Sequence, residues 1–567
     1  MELKLAVPAP DLPKLERALR DLAPRSSCSR SCLTTTYYDT ADRALSRRGL
    51  RVRVREADGR FVQTVKADGA AEAGVLIRGE WEDEIAGDTP DLRAPHSGCR
   101  LPDGIAGELQ PLFVTAVTRT TMILEPSPAL SIEAVIDEGT IRGIAGGATA
   151  PISEVELELK HGDLGALFDI ALDLLAAAPL RIETRSKAER GYAAVAGEAA
   201  PAQPVRAAPI ALDSAITVEA ALQVIGRVCL AHLLCNEAAA LADDPEGVHQ
   251  MRVASRRIRS ALSAFKKTLP AADRRWASNE LERLDEILGP ARNLDVFASD
   301  LLAPRRAALP GEPALDRLAT AVDAARQAAY ARVRELILSP LYTEAVLRLL
   351  RWFEARGWRG GEAPAACDPL CAAIGDVAPR LLDRRLRTVR RRRKGFREAT
   401  AKERHKLRIA VKELRYTSEL LGSLFDPQDV RSFGKPLRTL QDGLGYANDV
   451  RVGHDVVNEL SAHAADKEAI MVAGARVLGW HEHAVCEGER KVRKHLRLLH
   501  RAAPFWKPVP PHCPTAMSTQ SCRARNSLDR YGRGGHDPLS LLHDAVPLRS
   551  SIDTARCGTA GQFFCCR

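Results

Sequence analysis

A stretch of eighteen residues occurs twice in this chain, and the repeat limits what the C-terminal half can fold into. Val248–Phe265 (VHQMRVASRRIRSALSAF) matches Arg404–Leu421 (RHKLRIAVKELRYTSELL). His249 falls on His405, Arg252 on Arg408, Arg256 on Lys412 and Arg259 on Arg415. His405 follows His249 by 156 residues, and Gly445-Tyr-Ala-Asn-Asp follows Gly289-Pro-Ala-Arg-Asn by the same 156. Two separate matches at one offset mark a duplicated unit.

In each copy the His and the three cations lie at i, i+3, i+7 and i+10, one continuous stripe on a helix. Met251, Ile258, Leu262 and Phe265 make a second stripe that can face a core. A lone basic stripe is ordinarily a solvated helix face. A stripe that recurs at equivalent positions, each time opened by a His, reads as a dedicated anion site.

The rest of the composition narrows the classes. At 567 residues there is room for two to four domains. Aromatics are only 5%, so base stacking on an aromatic platform is not a theme. The net charge of +9 is unevenly placed, with eight cations in the eleven residues Arg384–Lys394. Such a run points to a polyanion: nucleic acid, acidic lipid or polyphosphate. No signal peptide is visible after Met1, and no run of about 18 apolar residues is apparent, so no membrane partner is expected. The 13 cysteines are odd in number and lack zinc-site spacing, Cys28/Cys32 and Cys367/Cys371 included; free buried thiols in a reducing cytoplasm are expected.

Residues 1–196 read as β-rich, with alternating runs at 2–7, 34–38, 50–56, 61–66, 74–85, 115–125, 129–137 and 152–160. Two amphipathic helices, Asp11–Leu22 and Asp163–Ala177, interrupt them. On one face of these strands the charges sort by sign. Arg51, Arg53 and Arg55 share a face in one strand; Arg78, Glu80, Glu82 and Glu84 in another; Glu154, Glu156, Glu158 and Lys160 in a third. Glu133 and Asp137 share parity as well. Polar faces of half-buried strands ordinarily meet only water. A cation-rich face joined to a carboxylate-rich one suits a metal–phosphate ligand, since carboxylates hold Mg²⁺ or Mn²⁺ while Arg and Lys grip phosphate oxygens.

With these residues in view, the N-terminal part resembles the CYTH family of triphosphate tunnel metalloenzymes. The carriers are Glu2-Leu-Lys4, Tyr37-Tyr-Asp-Thr40, Leu50-Arg-Val-Arg53, Thr64-Val-Lys66, Arg78-Gly-Glu80-Trp-Glu82, Asp137-Glu-Gly139, Glu154-Val-Glu-Leu-Glu158 and Ser186-Lys-Ala-Glu-Arg-Gly-Tyr192. The resemblance implies an eight-stranded antiparallel tunnel, holding a triphosphate and Mg²⁺ or Mn²⁺, that acts as an inorganic triphosphatase or on a related triphosphate. By position it makes Lys4, Arg51, Arg53, Lys66, Arg78, Arg119 and Lys187 phosphate ligands. It makes Glu2, Glu156 and Glu158, with Glu80, Glu154 and Asp137, the metal ligands, and gives Glu156, Glu158 and Lys66 the catalytic roles. The family's opening Glu-x-Glu-x-Lys is matched here only by Glu2 and Lys4, so either the start lies upstream or one carboxylate is missing.

Residues 197–213, rich in Ala and Pro, read as a linker. Residues 214–504 read as helical throughout, with repeats near 214–350 and 370–502. This half resembles the CHAD domain on His249-Gln-Met-Arg-Val, Arg256-Arg-Ile-Arg259, Leu288-Gly-Pro-Ala-Arg-Asn-Leu-Asp295, His405-Lys-Leu-Arg-Ile, Lys412-Glu-Leu-Arg-Tyr416 and Leu440-Gln-Asp-Gly-Leu-Gly445. The resemblance implies an all-α pseudo-symmetric pair of four-helix bundles with a basic groove for inorganic polyphosphate. His249, Arg252, Arg256, Arg259, His405, Arg408, Lys412 and Arg415 would line it. The histidines lie among cations, which disfavours a metal and makes a donor to phosphate the simpler role. Arg384–Lys394 is expected on the same groove, with nucleic acid as its rival partner. The whole is an α+β multidomain chain, expected in the cytoplasm and at polyphosphate granules, with a catalytically impaired polyphosphate scaffold as the alternative. Residues 505–567 lack periodicity and read as a disordered or non-native tail.

Overall fold

The computed structural model describes residues 1–23, 27–67, 71–72, 75–76, 79–102, 104–146, 149–196, 203–360 and 368–507. The N-terminal half is one antiparallel sheet. Its strands are β1 (Glu2–Ala6), β2 (Cys28–Asp39), β3 (Leu50–Ala57), β4 (Arg60–Ala67), β5 (Gly79–Ile85), β6 (Gln110–Ser127), β7 (Leu130–Gly143), β8 (Ala150–His161) and β9 (Arg181–Ile182). They are ordered β9-β1-β8-β7-β6-β2-β3-β4-β5.

Two features differ from the expected eight-stranded tunnel. The ninth strand is two residues paired with Leu5 and Ala6, too short to leave an alternation in the sequence. The sheet is also not closed: among the described residues β5 pairs only with β4, and β9 covers only the end of β1, so the outer edge at Glu2–Lys4 meets no strand of the sheet there. A separate ladder, Ala71–Glu72 with Val75–Leu76, approaches β1 without joining.

Period-two alternation decides what each face does. Leu3, Leu5, Val155, Leu157, Ile132, Ala134 and Ile136 face a core, and the residues between them carry the charges. That core is capped by α1 (Leu12–Leu22) and α3 (Leu164–Ala177), whose buried Leu15, Leu19, Leu167, Ala171 and Leu174 follow helical spacing. The short α2 (Ala44–Arg47) follows β2, and α4 (Lys187–Val195) packs on β6 and β7. Helix α4 starts at a capping box, Ser186 with Glu189. A side chain at Gly191 would sit 2.0 Å from the Phe113 ring, so only glycine lets α4 seat this closely.

The C-terminal half comprises α5 (Val218–Leu234), α6 (Glu237–Leu241), α7 (Pro245–Ala264), α8 (Ala271–Val296), α9 (Ala303–Ala308), α10 (Pro313–Leu338), α11 (Pro340–Glu354), α12 (Ile374–Arg392), α13 (Ala401–Leu421), α14 (Pro427–His463) and α15 (Lys467–Arg501). The duplication is visible in the neighbours. Helix α5 packs on α7, α7 on α8 and α8 on α10; in the second half α12 packs on α13, α13 on α14 and α14 on α15. The halves do not keep separate cores. Phe297, Leu301 and Val322 of the first pack with Val457 and Val477 of the second.

The sheet and helices share one apolar core. Arg351 grips Asp169 of α3 through two hydrogen bonds, at 2.6 and 2.9 Å, and Thr343 Oγ1 donates to the Leu180 carbonyl at 2.7 Å. Residues 203–213 carry no helix or strand but are tied down. Ile210 and Leu212 are buried, Val205 N donates to Asn236, and Arg257 donates to the Ala208 carbonyl.

Three expectations are corrected here. The stretch Val218–Leu241 is long and apolar enough to cross a membrane, with mean hydropathy 1.5, but 67% of that window is buried in the helical core. Among the described cysteines only Cys229 is buried, while Cys28, Cys32, Cys99, Cys371 and Cys486 are exposed thiols. The proposed tail begins too early, because Trp506 is buried and donates to Asp383 at 2.9 Å while Phe505 packs on Phe425 and Phe433. The remainder of that segment, 508–567, lies outside the described residues, as do Arg78, Cys367 and, within the run expected at 74–85, residues 74 and 77.

Candidate functional site

The charged face of the sheet lines a cavity of about 520 Å³. Seven cations (Lys4, Arg51, Arg53, Arg55, Lys66, Arg119 and Lys187) and seven carboxylates (Glu2, Glu80, Glu82, Glu133, Asp137, Glu156 and Glu158) face it. Strand register places them in layers. Glu2, Glu158 and Glu133 lie side by side across β1, β8 and β7; two residues on, Lys4 adjoins Glu156; two further, Glu154 adjoins Asp137, which adjoins Arg119 of β6. On the opposite flank Arg51 adjoins Lys66 and Lys66 adjoins Glu80, while Arg53 adjoins Thr64 and Thr64 adjoins Glu82.

Most of these charges are paired with each other. Arg119 holds Asp137 through two bonds at 2.8 and 2.6 Å. Lys187, delivered by the first turn of α4, contacts Asp137 at 2.7 Å, Glu156 at 3.0 Å and also Glu154. Lys4 reaches Glu156 at 2.8 Å. Glu154 is fully buried behind the lining and is also held by Arg190. Burial pushes the Glu156 carboxyl up, but Lys4, Lys187 and Arg119 outweigh it and hold it well below the usual carboxylate range. Asp137 is likewise held low, burial opposing and Arg119 and Lys187 prevailing. On the other flank Lys66 bonds Glu80 at 2.7 Å and Arg53 lies 3.3 Å from the same carboxylate.

Two groups stand outside this pairing. Glu2 makes no ion pair among the described residues, and neither does Arg55, whose Nε, like that of Arg53, is buried without a hydrogen-bond partner. Burial, then Arg53 and Arg119, push the Arg55 guanidinium down to about 10. An anion against β3 relieves that repulsion, and a cation beside β1 and β8 meets an open carboxylate. Asp137, Glu154 and Glu156 each offer an oxygen within 4.8 Å of the others, a hard-donor set that could hold a metal. Lys187 already touches all three, so a cation entering there displaces an ammonium, whereas Glu2, with Glu158 and Glu133 beside it, offers oxygens with Lys160 as the only competitor among the described residues.

Arg51 is held from behind. It donates to the Ser46 and Leu50 carbonyls at 3.2 and 3.1 Å, and its guanidinium lies over the Tyr192 ring at 5.3 Å. Tyr192 donates to buried Asp39 at 2.9 Å, and Asp39 also accepts the backbone N–H groups of Thr40, Leu45 and Ser46.

The two helical stripes meet. Helices α7 and α13 pack together, and Arg256 lies close enough to Arg408 and Lys412 to disfavour their charges. Burial, then Arg256, Arg408 and Arg259, push the Lys412 ammonium down to about 8. Burial, then Arg292, push His249 down to about 4, so its ring is neutral at neutral pH. Arg252 donates to the Asp285 carbonyl at 3.1 Å and passes so near Gly289 that a side chain there would meet it at 2.8 Å. Arg259 is satisfied by Asp285 and Glu282, and Arg415 by Glu419.

Family models match residues 1–192 as a CYTH domain and residues 225–458 as a CHAD domain. The chain joins a CYTH domain to a CHAD domain. Over 164 residues it is 35% identical to an inorganic triphosphatase of Haemophilus influenzae, a match covering 28% of this chain and 45% of that protein. An uncharacterized protein of Mycobacterium tuberculosis is 28% identical over 252 residues, 42% of this chain and 45% of that one. The chain thus spans about half the length of the curated relatives it matches. Among solved structures, a CHAD domain from Ricinus communis is 29% identical, covers 53% of this chain and 98% of its own, and has a TM-score of 0.46. A putative adenylyl cyclase from Hippeastrum, described as having a dominant triphosphatase activity, is 18% identical, covers 34% and 94%, and has a TM-score of 0.26.

In the CYTH domain every predicted site residue among those described is brought together, with Glu154 behind the lining rather than on it. Arg55, Glu133 and Arg190 were not carried into the predicted site. Each was visible, the first two by strand parity and the third inside the Ser186–Tyr192 motif. In the CHAD domain Arg292 was missed although it sits in the repeated Gly289 motif. The Arg384–Lys394 run is partly structural: Arg384 donates to the Ala264 carbonyl, Arg385 binds Glu413 and Ser263, and Arg392 donates to the Lys406 carbonyl at 2.6 Å.

Proposed function

We propose that the CYTH cavity hydrolyses inorganic triphosphate, or a related triphosphate, with a divalent metal, and that the CHAD domain binds inorganic polyphosphate. The observation that carries the first half is the sorting of one cavity into a basic flank and an acidic flank. A triphosphate laid on Arg51, Arg53, Arg55 and Lys66 receives the fork-shaped donors its oxygens need, and Arg55 gains the partner it lacks. Glu2 and Glu158, with Glu133 beside them, are the carboxylates best placed for Mg²⁺ or Mn²⁺, which would neutralise the phosphate chain when bound, and Glu156 joins them where Lys4 and Lys187 give up their contacts with it. Glu156 and Glu158 orient the attacking water by accepting its protons in hydrogen bonds. Lys66 and the arginines stabilise the charge that gathers on the leaving phosphate.

In the CHAD domain the support is the meeting of Arg256 with Arg408 and Lys412, none of which makes an ion pair among the described residues. Like charges held together in a folded protein favour a polyanion, and a flexible phosphate chain offers no base to read. The reading extends to a location in the cytoplasm, at polyphosphate granules.

The test is phosphate release from inorganic triphosphate with Mg²⁺ or Mn²⁺, comparing the chain with Glu156→Ala. Metal-dependent release lost in the variant supports the reading. One observation favours a second reading, in which the CYTH cavity is impaired and the protein is a polyphosphate scaffold: Lys187, Arg119, Lys4 and Arg190 already neutralise the acidic cluster. Absence of release, with polyphosphate still retained, would select it.

A further inference from the structure

Beyond the cationic stripes, three helices of the CHAD domain converge on a second cavity of about 490 Å³. Helix α13 presents Ala401, Arg404, His405 and Arg408 to it, α14 presents Asp442, Gly443, Tyr446 and Ala447, and α15 presents Ala484, Val485, Gly488 and Val492. With Thr439 added to the α14 set, each follows i, i+3 or i+4 and i+7 or i+8 spacing, so whole helix faces line the space.

Its chemistry differs from that of the CYTH cavity. Small residues of α14 face small residues of α15, and the wall between them is carbon: Leu444, Val485 and Val492 with Gly443, Ala447 and Gly488. The gap is tight at one point, where a side chain on Gly443 would meet Val492 at 2.8 Å, and open at another, where one on Gly488 would meet nothing within 4 Å. Cations also line it: Arg404, Arg408, Arg451 and Lys491. Arg404 is paired with Glu489 and Arg451 with Asp455, but Arg408 has no ion-pair partner among the described residues. Thr439, Asp442 and Asn448 add hydrogen-bonding groups between the carbon wall and the cations.

A bare phosphate chain has no apolar surface with which to cover that wall. We propose that this cavity binds an organic polyphosphate, a flat apolar body with an anionic tail of the nucleoside triphosphate class. The body lies between α14 and α15, its polar edge bonds Asn448 or Asp442, and the tail reaches Arg408 and His405. The site goes beyond the polyphosphate reading and shares with it only those two residues.

The experiment is calorimetric titration of the full chain in EDTA with ATP, and separately with tripolyphosphate. An Arg53→Ala/Arg55→Ala background removes phosphate ligands from the CYTH cavity. ATP is expected to bind about tenfold more tightly than tripolyphosphate, the margin a buried apolar group supplies. Gly488→Leu, which fills open space and raises helix propensity, is expected to remove that margin while affinity for long-chain polyphosphate stays unchanged. Ala484→Leu gives a second filling variant on the same face. ATP binding no tighter than tripolyphosphate, or indifferent to both fillings, overturns the proposal. So does a parallel loss of polyphosphate affinity in Gly488→Leu, which would make the cavity part of the polyphosphate groove. Failure of the polyphosphate reading itself shows differently, as long-chain affinity unaffected by Arg256→Ala/Lys412→Ala.

Discussion

The two basic regions of this protein differ in how far carboxylates offset their like charges, although each holds an arginine, Arg55 in one and Arg252 in the other, that burial and neighbouring cations push down to about 10. In the CYTH cavity seven cations meet seven carboxylates, and nearly every one has an opposite partner in reach. Where α7 meets α13, the cations press on each other, and burial and mutual repulsion drive Lys412 down to about 8 and Arg252 to about 10. A balanced site gains from a ligand that is itself mixed, metal with phosphate. An unbalanced one gains from a plain polyanion. The same residue types thus support different chemistry according to whether carboxylates share the surface.

On the balanced side the largest effect expected on stability comes from Lys187→Ala. Asp137 and Glu154 are fully buried and lose the ammonium that joins them, though Arg119 and Arg190 stay. Removing one partner of a buried ion cluster costs about 3 kcal/mol, to be read by urea denaturation, and triphosphate hydrolysis should fall about a hundredfold. On the unbalanced side, Arg256→Ala/Lys412→Ala should weaken polyphosphate binding and reduce the slope of log affinity against log salt by roughly 0.7 per cation removed. Titration at several salt concentrations measures it.

A pH series sharpens the contrast. In the free protein Lys412 loses its proton near pH 8, below the ordinary lysine value, so polyphosphate binding should weaken as pH rises from about 7 to 9. Proton uptake should accompany binding near pH 8. Lys412→Arg, which keeps its charge, should flatten the profile. The smallest effect expected is that of Tyr192→Phe, which keeps the ring under Arg51 but drops the bond to Asp39. One such bond contributes about 1 kcal/mol, and we expect KM for triphosphate to rise a fewfold with kcat little changed.

Much of this organisation was legible in the sequence because it is periodic. Strand parity separated Arg51 and Arg53 from Val52 and Val54, and the same parity placed Glu156 and Glu158 on the cavity side. The 156-residue offset anticipated that α7 and α13 are equivalent helices, and the amphipathic runs Asp11–Leu22 and Asp163–Ala177 anticipated α1 and α3. What was hidden depends on contacts distant in sequence. Closure of the sheet turns on whether β5 meets β1, which no local pattern encodes. Lys187 read as a phosphate ligand, yet its three carboxylate partners come from two other strands. No apolar run of membrane-spanning length was apparent, yet Val218–Leu241 holds a window of mean hydropathy 1.5, most of it buried inside the helical core. Residues 197–213 read as a linker because they carry almost no periodic apolar pattern, and in the described part, 203–213, the packing of Ile210 and Leu212 fixes the chain.

The account stands most directly on one comparison: metal-dependent phosphate release from inorganic triphosphate by Glu156→Ala and by Arg256→Ala/Lys412→Ala, each against the unaltered chain. The balanced cavity is predicted to be the reacting site, so the first variant should be inactive and the second as active as the parent. Release that survives Glu156→Ala, or that falls equally in the helical variant, would contradict the division of labour between the two regions.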